Sequence, residues 1–413
     1  MRVIRSFLIL LCLFPYLGFA HVSVGLDRIF SEESYLSWIR GKKVTLISHN
    51  AAINHEGKDA LSVFQEHNDV CFLNTLCTLE HGYYGTAPAE TPGFAPAIPG
   101  GRAVSLYGVK DIPENAVQGS DVLVYDVQDI GVRSYTFVVS LLHLVRAAQK
   151  YKKTLIILDR PNPMGGKIID GPMPTSQTDY VPEIPYCYGM TPGELALFYK
   201  AKYAPYAQVL VVPMRGWKRS MTFSQTGLRW VPTSPQIPDA QTTFFYATTG
   251  IIGALSISSI GIGYTLPFRV IGAPWMNGHL VAKKLNEARL PGIIFYPFCY
   301  EPFFGKYKME LCSGVLLMLE KPEAFLPVET QCTILGILKT LYPKQVENAF
   351  NALDKIPLRR TSIYRCLGEE KFLHICQNEQ YIIWPLKKLC LDGRTKFQNI
   401  RKPFLISDYC DEE

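Results

Sequence analysis

The chain has no Cys-x-x-Cys pair, which removes the zinc-ribbon and thioredoxin-like readings. It has no Gly-x-Gly-x-x-Gly after its first apolar strand, where residues 48–54 read SHNAAIN, and no Walker lysine loop. A dinucleotide fingerprint and a standard phosphate-binding loop are therefore both missing, and no cofactor is expected. Internal repeats and low-complexity tracts are absent, so a solenoid or a disordered tail is not expected. Charge is nearly balanced: 42 Lys and Arg against 36 Asp and Glu give a formal +6. That charge is mild and dispersed, so nucleic acid is not an expected partner. Beyond the N-terminus no apolar run reaches the length of a membrane span. The longest, Thr249–Ile262, contains three glycines and four serines and threonines, and reads as core or loop.

The N-terminus is different in kind. Arg2 and Arg5 precede an apolar run from Phe7 to Leu17, and Gly18-Phe19-Ala20 offers small residues for cleavage. These are the parts of a secretory signal, and the run is short for a span. Residues 1–20 are expected to leave, so the remaining protein would be exported to the periplasm or cell envelope with no stable membrane span. Of eleven cysteines, Cys12 lies in that segment. The other ten permit disulfides in an oxidising compartment, with the C-terminal group the favoured place.

With 413 residues and 48% hydrophobic composition, the chain suits two domains with ample core. The stretch Asp121–Tyr135, DVLVYDVQDIGVRSY, is the organising one. A short apolar run of β-formers stops at Asp126; Gln128, Asp129, Gly131 and Arg133 follow, and then a helical pattern runs to Lys150. Three other apolar runs behave alike. Val44–Ile47 ends at Ser48, His49 and Asn50. Val70–Leu76 ends at Thr78, Glu80, His81 and Gly82. Thr154–Leu158 ends in Asp159-Arg160-Pro161-Asn162-Pro163. Strands alternating with helices argue for βαβ units and a parallel sheet. In such a sheet these four ends share one edge, where ligands bind. One acid at a strand end is explained by a helix cap or a structural ion pair; four polar ends together point to a site. A Pro/Gly/Ala loop from Gly85 to Gly101 has the length of a functional loop. Thr191-Pro192-Gly193-Glu194 reads as a capping box, so Glu194 is not expected to be a catalyst. The expected layout is residues 21–217 as a Rossmann-like α/β domain and 218–413 as a smaller mixed α/β domain.

These strand ends also carry a resemblance. The quoted motifs are Glu80-His81-Gly82 with Gly85; Asp126, Gln128, Asp129, Gly131, Arg133, Tyr135 and Thr136; Asp159-Arg160-Pro161-Asn162-Pro163; Gly189-Met190-Thr191; Val212-Pro213-Met214 with Gly216-Trp217; and Gly272-Ala273-Pro274-Trp275. In this order the chain resembles the exo-β-N-acetylmuramidases of the NamZ type. The resemblance implies a Rossmann-like domain and a smaller α/β domain with the active site in the cleft between them. It also implies release of N-acetylmuramic acid from non-reducing ends of peptidoglycan fragments, the muropeptide-derived saccharides being the partners. The chain departs from the family at Leu79, where Pro is usual, at His49 for Asn, at Gln236 for Asn, and at Ile262 and Tyr264, where Arg and Thr stand.

Glycoside cleavage needs a proton donor and stabilisation of an oxocarbenium-like transition state. Glu80 is the expected donor, with a pKa that partial burial would raise. Asp126 and Asp129 are candidates for the second carboxyl function or for orienting hydroxyls, and His81 for orienting or carrying a proton. His49, Asn50, Gln128, Arg133, Tyr135, Asp159, Arg160 and Asn162 are the expected substrate-binding set. Arg133 and Arg160 either bind the lactyl carboxylate or fix the aspartates. No metal is expected in the leading reading. Two rivals stand beside it. One is a cell-wall-fragment receptor that has lost turnover, motivated by Ile262 and Tyr264. The other is a metal-dependent hydrolase with Asp126, Asp129, Glu80 and His81 as ligands.

Overall fold

The computed structural model describes residues 21–411 apart from 90, 92 and 176–182. The expected signal segment, residues 1–20, lies outside the described residues. The chain opens with two short helices, α1 (Gly25–Ile29) and α2 (Glu33–Leu36), and then enters the sheet. The sheet strands are β1 (Lys43–Ser48), β2 (Phe72–Thr78), β3 (Arg102–Ser105), β4 (Val122–Asp126), β5 (Thr154–Leu158) and β6 (Gln208–Val212). Between them run α3 (Ala60–Glu66), α4 (Glu114–Val117), α5 (Phe137–Lys150) and α6 (Pro192–Tyr203). All five strand pairings are parallel, in the order β3-β2-β1-β4-β5-β6. This is the expected Rossmann-like sheet.

Local chemistry accounts for the elements. Every residue of β4 is buried, as a strand covered on both faces requires. Asp59 caps α3 through the Ser62 amide, 3.0 Å. Thr191 and Glu194 form the expected capping box at α6, with Pro192 in its first turn. Helix α5 buries Phe137, Leu141, Leu144, Val145 and Ala148 against the sheet. The strand order reverses between β1 and β4, where Ser48 pairs with Asp126. The crevice beyond their carboxyl ends is the place such a sheet offers a ligand.

The second region is built on an antiparallel sheet, β7-β9-β8: β7 (Val270–Ala273), β8 (Ile293–Tyr300) and β9 (Cys312–Leu319). Its helices are α7 (Thr242–Ala254), α8 (Gly278–Glu287), α9 (Pro327–Leu341), α10 (Pro343–Asp354), α11 (Pro357–Leu367), α12 (Glu370–Asn378) and α13 (Ile383–Arg401). The smaller mixed α/β region is thus present. Two segments carry helix that the sequence reading did not name, the first of them buried core as that reading has it. The stretch read as core or loop from Thr249 begins inside helix α7. Its β-branched residues disfavour helix in isolation, but Thr248 and Thr249 are buried and return their hydroxyls to the carbonyls of Phe244 and Phe245, at 2.8 and 3.0 Å. The segment after Pro357, which showed no motif, forms three helices. The end of the third and the tail beyond it reach the first region. Buried Arg401 donates to the Gly166 carbonyl at 2.8 Å, and the Tyr409 hydroxyl donates to Asp159 Oδ2 at 2.7 Å.

All ten described cysteines are unbonded, and the thiols of Cys332 on α9 and Cys390 on α13 lie 3.9 Å apart. Among the described residues no helix is long and apolar enough to cross a membrane.

Candidate active site

The strand ends do share one edge, and they divide into two kinds. At the end of β4, Asp126 is fully buried and receives both Arg160 Nε, 2.5 Å, and Nη2, 2.9 Å. Arg160 also donates Nη1 to the Ile53 carbonyl, 2.8 Å. Burial pushes the Asp126 carboxyl up and the Arg160 guanidinium pulls it back. At the end of β5, Asp159 accepts from the Arg160 and Gly193 amides and from the Thr191 and Tyr409 hydroxyls, all between 2.7 and 3.0 Å. Its pKa is raised to about 7 by burial, against those donors. Asn162 accepts from the Met164 amide at 3.1 Å and donates to the Met190 carbonyl at 3.2 Å. A Cβ on Gly131, whose φ is +79°, would sit 2.3 Å from Asn162 Oδ1, so the turn after β4 is moulded to that amide. Of the two roles open to Arg160, the geometry gives fixing an aspartate. Asp126, Asp159, Arg160 and Asn162 have their polar atoms committed to the framework.

His49, at the end of β1, is fully buried. Its Nε2 accepts from the Gln128 amide, 3.0 Å, across the β1–β4 crevice, and its Nδ1 has no partner among the described residues. Burial, then Arg160 and His81, lower its pKa to about 3, so the ring is neutral. The Gln128 side chain donates to the Asp129 and Pro161 carbonyls at 2.8 and 2.9 Å. Neighbouring Asn50 has an unpartnered Oδ1.

Asp129 is less committed. Its Oδ2 accepts from the Tyr188 hydroxyl and from the Gly131 amide, 3.2 Å, while Oδ1 has no hydrogen bond among the described residues. Burial raises its pKa to about 7, opposed by the amides of Ile130 and Gly131. A buried carboxyl with an open oxygen and a near-neutral pKa can hold or release a proton at working pH.

Glu80 and His81 follow β2 in a left-handed turn, with φ of +70° at His81 and +74° at Gly82. A Cβ on Gly82 would meet the Phe94 amide nitrogen at 2.5 Å, so only glycine lets the Gly85–Gly101 loop fold back this closely. His81 Nδ1 hydrogen-bonds the Ala87 carbonyl, 2.8 Å, which places a proton on that nitrogen, and its ring stacks near Tyr135. Tyr135 donates its hydroxyl to Thr233 Oγ1, 3.1 Å. Glu80 is half-buried and accepts from Thr136 Oγ1 at 2.6 Å.

A cleft of about 250 Å³ opens here, lined by Glu80, Arg133, Thr136, His143, Arg365 and Cys366 among others. Arg133 is buried. Its Nη2 donates to the carbonyls of Leu367 and, at 3.3 Å, Cys366, while Nε and Nη1 have no partner among the described residues. Burial lowers its pKa to about 10, so it remains charged at neutral pH. An under-partnered buried guanidinium suits a planar anion. The cleft therefore joins an acid, a cation with donors to spare, and hydroxyls.

Of the expected site residues, the structure brings Glu80 and Arg133 into one cleft, sets His81 and Tyr135 behind it, and turns Asp126, Asp159, Arg160 and Asn162 to framework. Sequence reasoning missed Thr136, His143, Arg365 and Cys366 as site residues. Thr136, Ser140 and His143 carried a signal, being polar positions four and three residues apart on one face at the start of α5. Arg365 and Cys366 carried none, because α11 reaches the cleft only through tertiary packing. The metal-ligand set is corrected. Asp126 is held by Arg160 and His81 Nδ1 by a carbonyl, and among the described residues no three His, Cys, Asp or Glu side chains converge as a ligand group.

Comparisons with known proteins agree with this architecture. A solved DUF1343 family protein from Bacteroides fragilis superposes with a TM-score of 0.83 at 30% identity, covering 94% of this chain and 99% of its own. A second from the same organism gives 0.68 at 24% identity, covering 95% and 99%, and supports the fold alone. The peptidoglycan β-N-acetylmuramidase NamZ of Bacillus subtilis is 34% identical over 335 residues, 79% of each chain. Residues 44–241 match the N-terminal and residues 244–406 the C-terminal family model of exo-β-N-acetylmuramidase NamZ. With both halves matched in order on one continuous fold, the chain belongs to the exo-β-N-acetylmuramidase NamZ family of glycosidases.

Proposed function

We propose that this protein is exported and releases N-acetylmuramic acid from the non-reducing ends of peptidoglycan fragments in the periplasm or cell envelope, as part of cell-wall turnover. One observation carries the reading: Glu80 and an under-partnered, buried Arg133 line the same cleft. Muramic acid differs from its neighbour sugar by a lactyl carboxylate, and a guanidinium fork is the natural receptor for it. Glu80 protonates the leaving oxygen, with Thr136 fixing its carboxyl orientation. Asp129 supplies the second carboxyl, because its Oδ1 is open where the oxygens of Asp126 and Asp159 are taken. The neutral imidazole of His49 ties β1 to β4 and moves no proton. Residues 1–20, with two arginines and an apolar run, support export.

The test is sugar release from a synthetic N-acetylmuramyl glycoside, with the N-acetylglucosamine analogue as control. Release from the first and little from the second supports the reading. Binding without release would make the protein a receptor, the outcome that uncharged Ile262 and Tyr264 would then explain. For export, mass spectrometry on protein from its natural host is expected to find His21 at the N-terminus; a full-length chain in the cytosol would reject it.

A further inference from the structure

Helices α9 and α13 pack side by side in opposite directions, and contacts in three successive turns fix their register. At one end Glu329 on α9 pairs with Arg394 on α13. Both also meet buried Asp170, whose Oδ2 accepts from the Glu329 amide, 3.1 Å, and whose Oδ1 accepts from Arg394 Nη2, 3.4 Å. One turn on along α9 and one turn back along α13, Cys332 and Cys390 bring their thiols to 3.9 Å. In the next turn a Cβ on Gly336 would collide with Ile383, so α9 makes room for the isoleucine by carrying no side chain there. The two thiols are thus held in register from both sides.

Both cysteines are fully buried, and the chemistry of the Glu80 cleft uses neither. A disulfide needs about 2.0 Å between its sulfurs, a closure that side-chain rotation supplies when the helices already stand in register. The Cys390 thiol is pushed up by its hydrogen bond with Cys332 and then by burial, so the folded pair is protonated and slow to exchange. Oxidation therefore belongs to the folding chain, before α13 closes over α9. The two cysteines stand 58 positions apart, and α10, α11 and α12 lie between them. Helix α11 brings Arg365 and Cys366 to the Glu80 cleft, and the Cys366 and Leu367 carbonyls accept from Arg133. A bond between the cysteines would tether both ends of the segment that builds this wall of the cleft.

We propose that Cys332 and Cys390 are a modification site, oxidised in the exported protein to one disulfide that staples α13 to α9. The oxidant is itself a disulfide, that of a thiol–disulfide oxidoreductase or of oxidised glutathione. One cysteine, as thiolate, attacks a sulfur of the oxidant, and the oxidant's other sulfur leaves and takes up a proton. The second cysteine then attacks the protein sulfur of this mixed disulfide and expels the remaining oxidant thiol. Two electrons and two protons pass from the cysteine pair to the oxidant, which departs as two thiols. The proposal rests on the export reading for the compartment in which this happens, and on the helix pair for the site.

The test refolds the purified protein with oxidised and reduced glutathione, alkylates the remaining thiols and maps the peptides by mass spectrometry. The Cys332 and Cys390 peptides are expected joined, two hydrogens lighter than their sum. Alkylation of both, or Cys332 joined to Cys376 instead, overturns the proposal. Reduction of the joined protein with dithiothreitol is expected to lower Tm by roughly 3–8 °C and to speed heat inactivation, with kcat and KM at room temperature unchanged. A Cys332→Ala/Cys390→Ala variant is expected to melt at the same temperature with and without reductant. If that variant does not fold, the peptide map and the paired wild-type melts decide alone; an unmoved wild-type Tm overturns the staple. Protein from the natural host separates this proposal from export. A chain starting at His21 with the bond intact upholds both, and one starting at His21 with both thiols free overturns the proposal. A full-length cytosolic chain with free thiols, whose refolded form takes the bond, rejects export alone and leaves the pair as the site.

Discussion

The β5 end and the β2 end of one sheet edge carry similar residues and do different work. Around β5, Asp159 has four donors, and its neighbour Arg160 is spent on Asp126 and a carbonyl. Around β2 and the start of α5, Glu80 faces a cleft and buried Arg133 keeps Nε and Nη1 open. Residue type is nearly the same in the two places. What separates framework from chemistry is how completely the polar atoms are satisfied, since a buried group with no partner is costly unless a ligand completes it.

The largest effect is expected at the cleft end. Glu80→Gln keeps shape and removes the acid. It is expected to lower turnover of a natural disaccharide by roughly two to four orders of magnitude, with folding and sugar binding retained. An aryl glycoside with a good leaving group needs less protonation and is expected to lose less. Near wild-type cleavage of the disaccharide would remove Glu80 from the mechanism.

At the filled end the loss falls on stability. Asp126→Asn leaves Arg160 buried beside a neutral group. Breaking such a pair is expected to cost about 3–5 kcal/mol, read by chemical denaturation. A neutral result would erase the division between the two ends.

Arg133→Lys tests the open guanidinium. Loss of the fork is expected to raise KM for muramyl substrates about ten- to a hundredfold. The N-acetylglucosamine analogue is expected to move little. Equal loss on both would place Arg133 with the framework, as a cap on the Cys366 and Leu367 carbonyls.

The smallest effect concerns Asp129, which sits between the two classes. Its folded pKa of about 7 exceeds its ordinary value of 3.8 because of burial. Between those values the folded state binds the extra proton, so this group makes stability fall as pH rises from about 4 to 7. The slope is expected to reach about 1.4 kcal/mol per pH unit at most. Asp129→Asn is expected to remove this part of the slope, measured by denaturation at pH 5 and pH 7. An unchanged slope would show that the carboxyl is not the group titrating.

Much of the sheet was legible because each apolar run breaks into polar residues where the strand leaves cover, so strand, end and edge could be read together. Glu80 and Arg133 were legible for the same reason. The division of labour between the ends was not, because it depends on partners distant in sequence: Asp159 meets Tyr409, and Asp126 meets Arg160. Helix α7 was hidden by threonine and isoleucine, whose local preference is overridden by burial. Helices α11 to α13 were hidden because their buried faces meet one another and α7, α9 and α10 in an arrangement that only the tertiary packing reveals. Arg365 and Cys366 could not be placed in the cleft until that packing was known.

The contact between Tyr409 and Asp159 also sets a timetable. The six-stranded sheet has all its strands once residue 212 has been made, but the last donor to Asp159 comes 250 residues after it in the chain. At typical synthesis rates, the roughly 200 residues between β6 and Tyr409 take about 10–40 s to appear. Throughout that interval the nascent sheet holds a buried acid short of one partner. The β5 end therefore lacks that donor until Tyr409 has been made, and a chain broken off before Tyr409 yields a sheet whose β5 end stays unfinished.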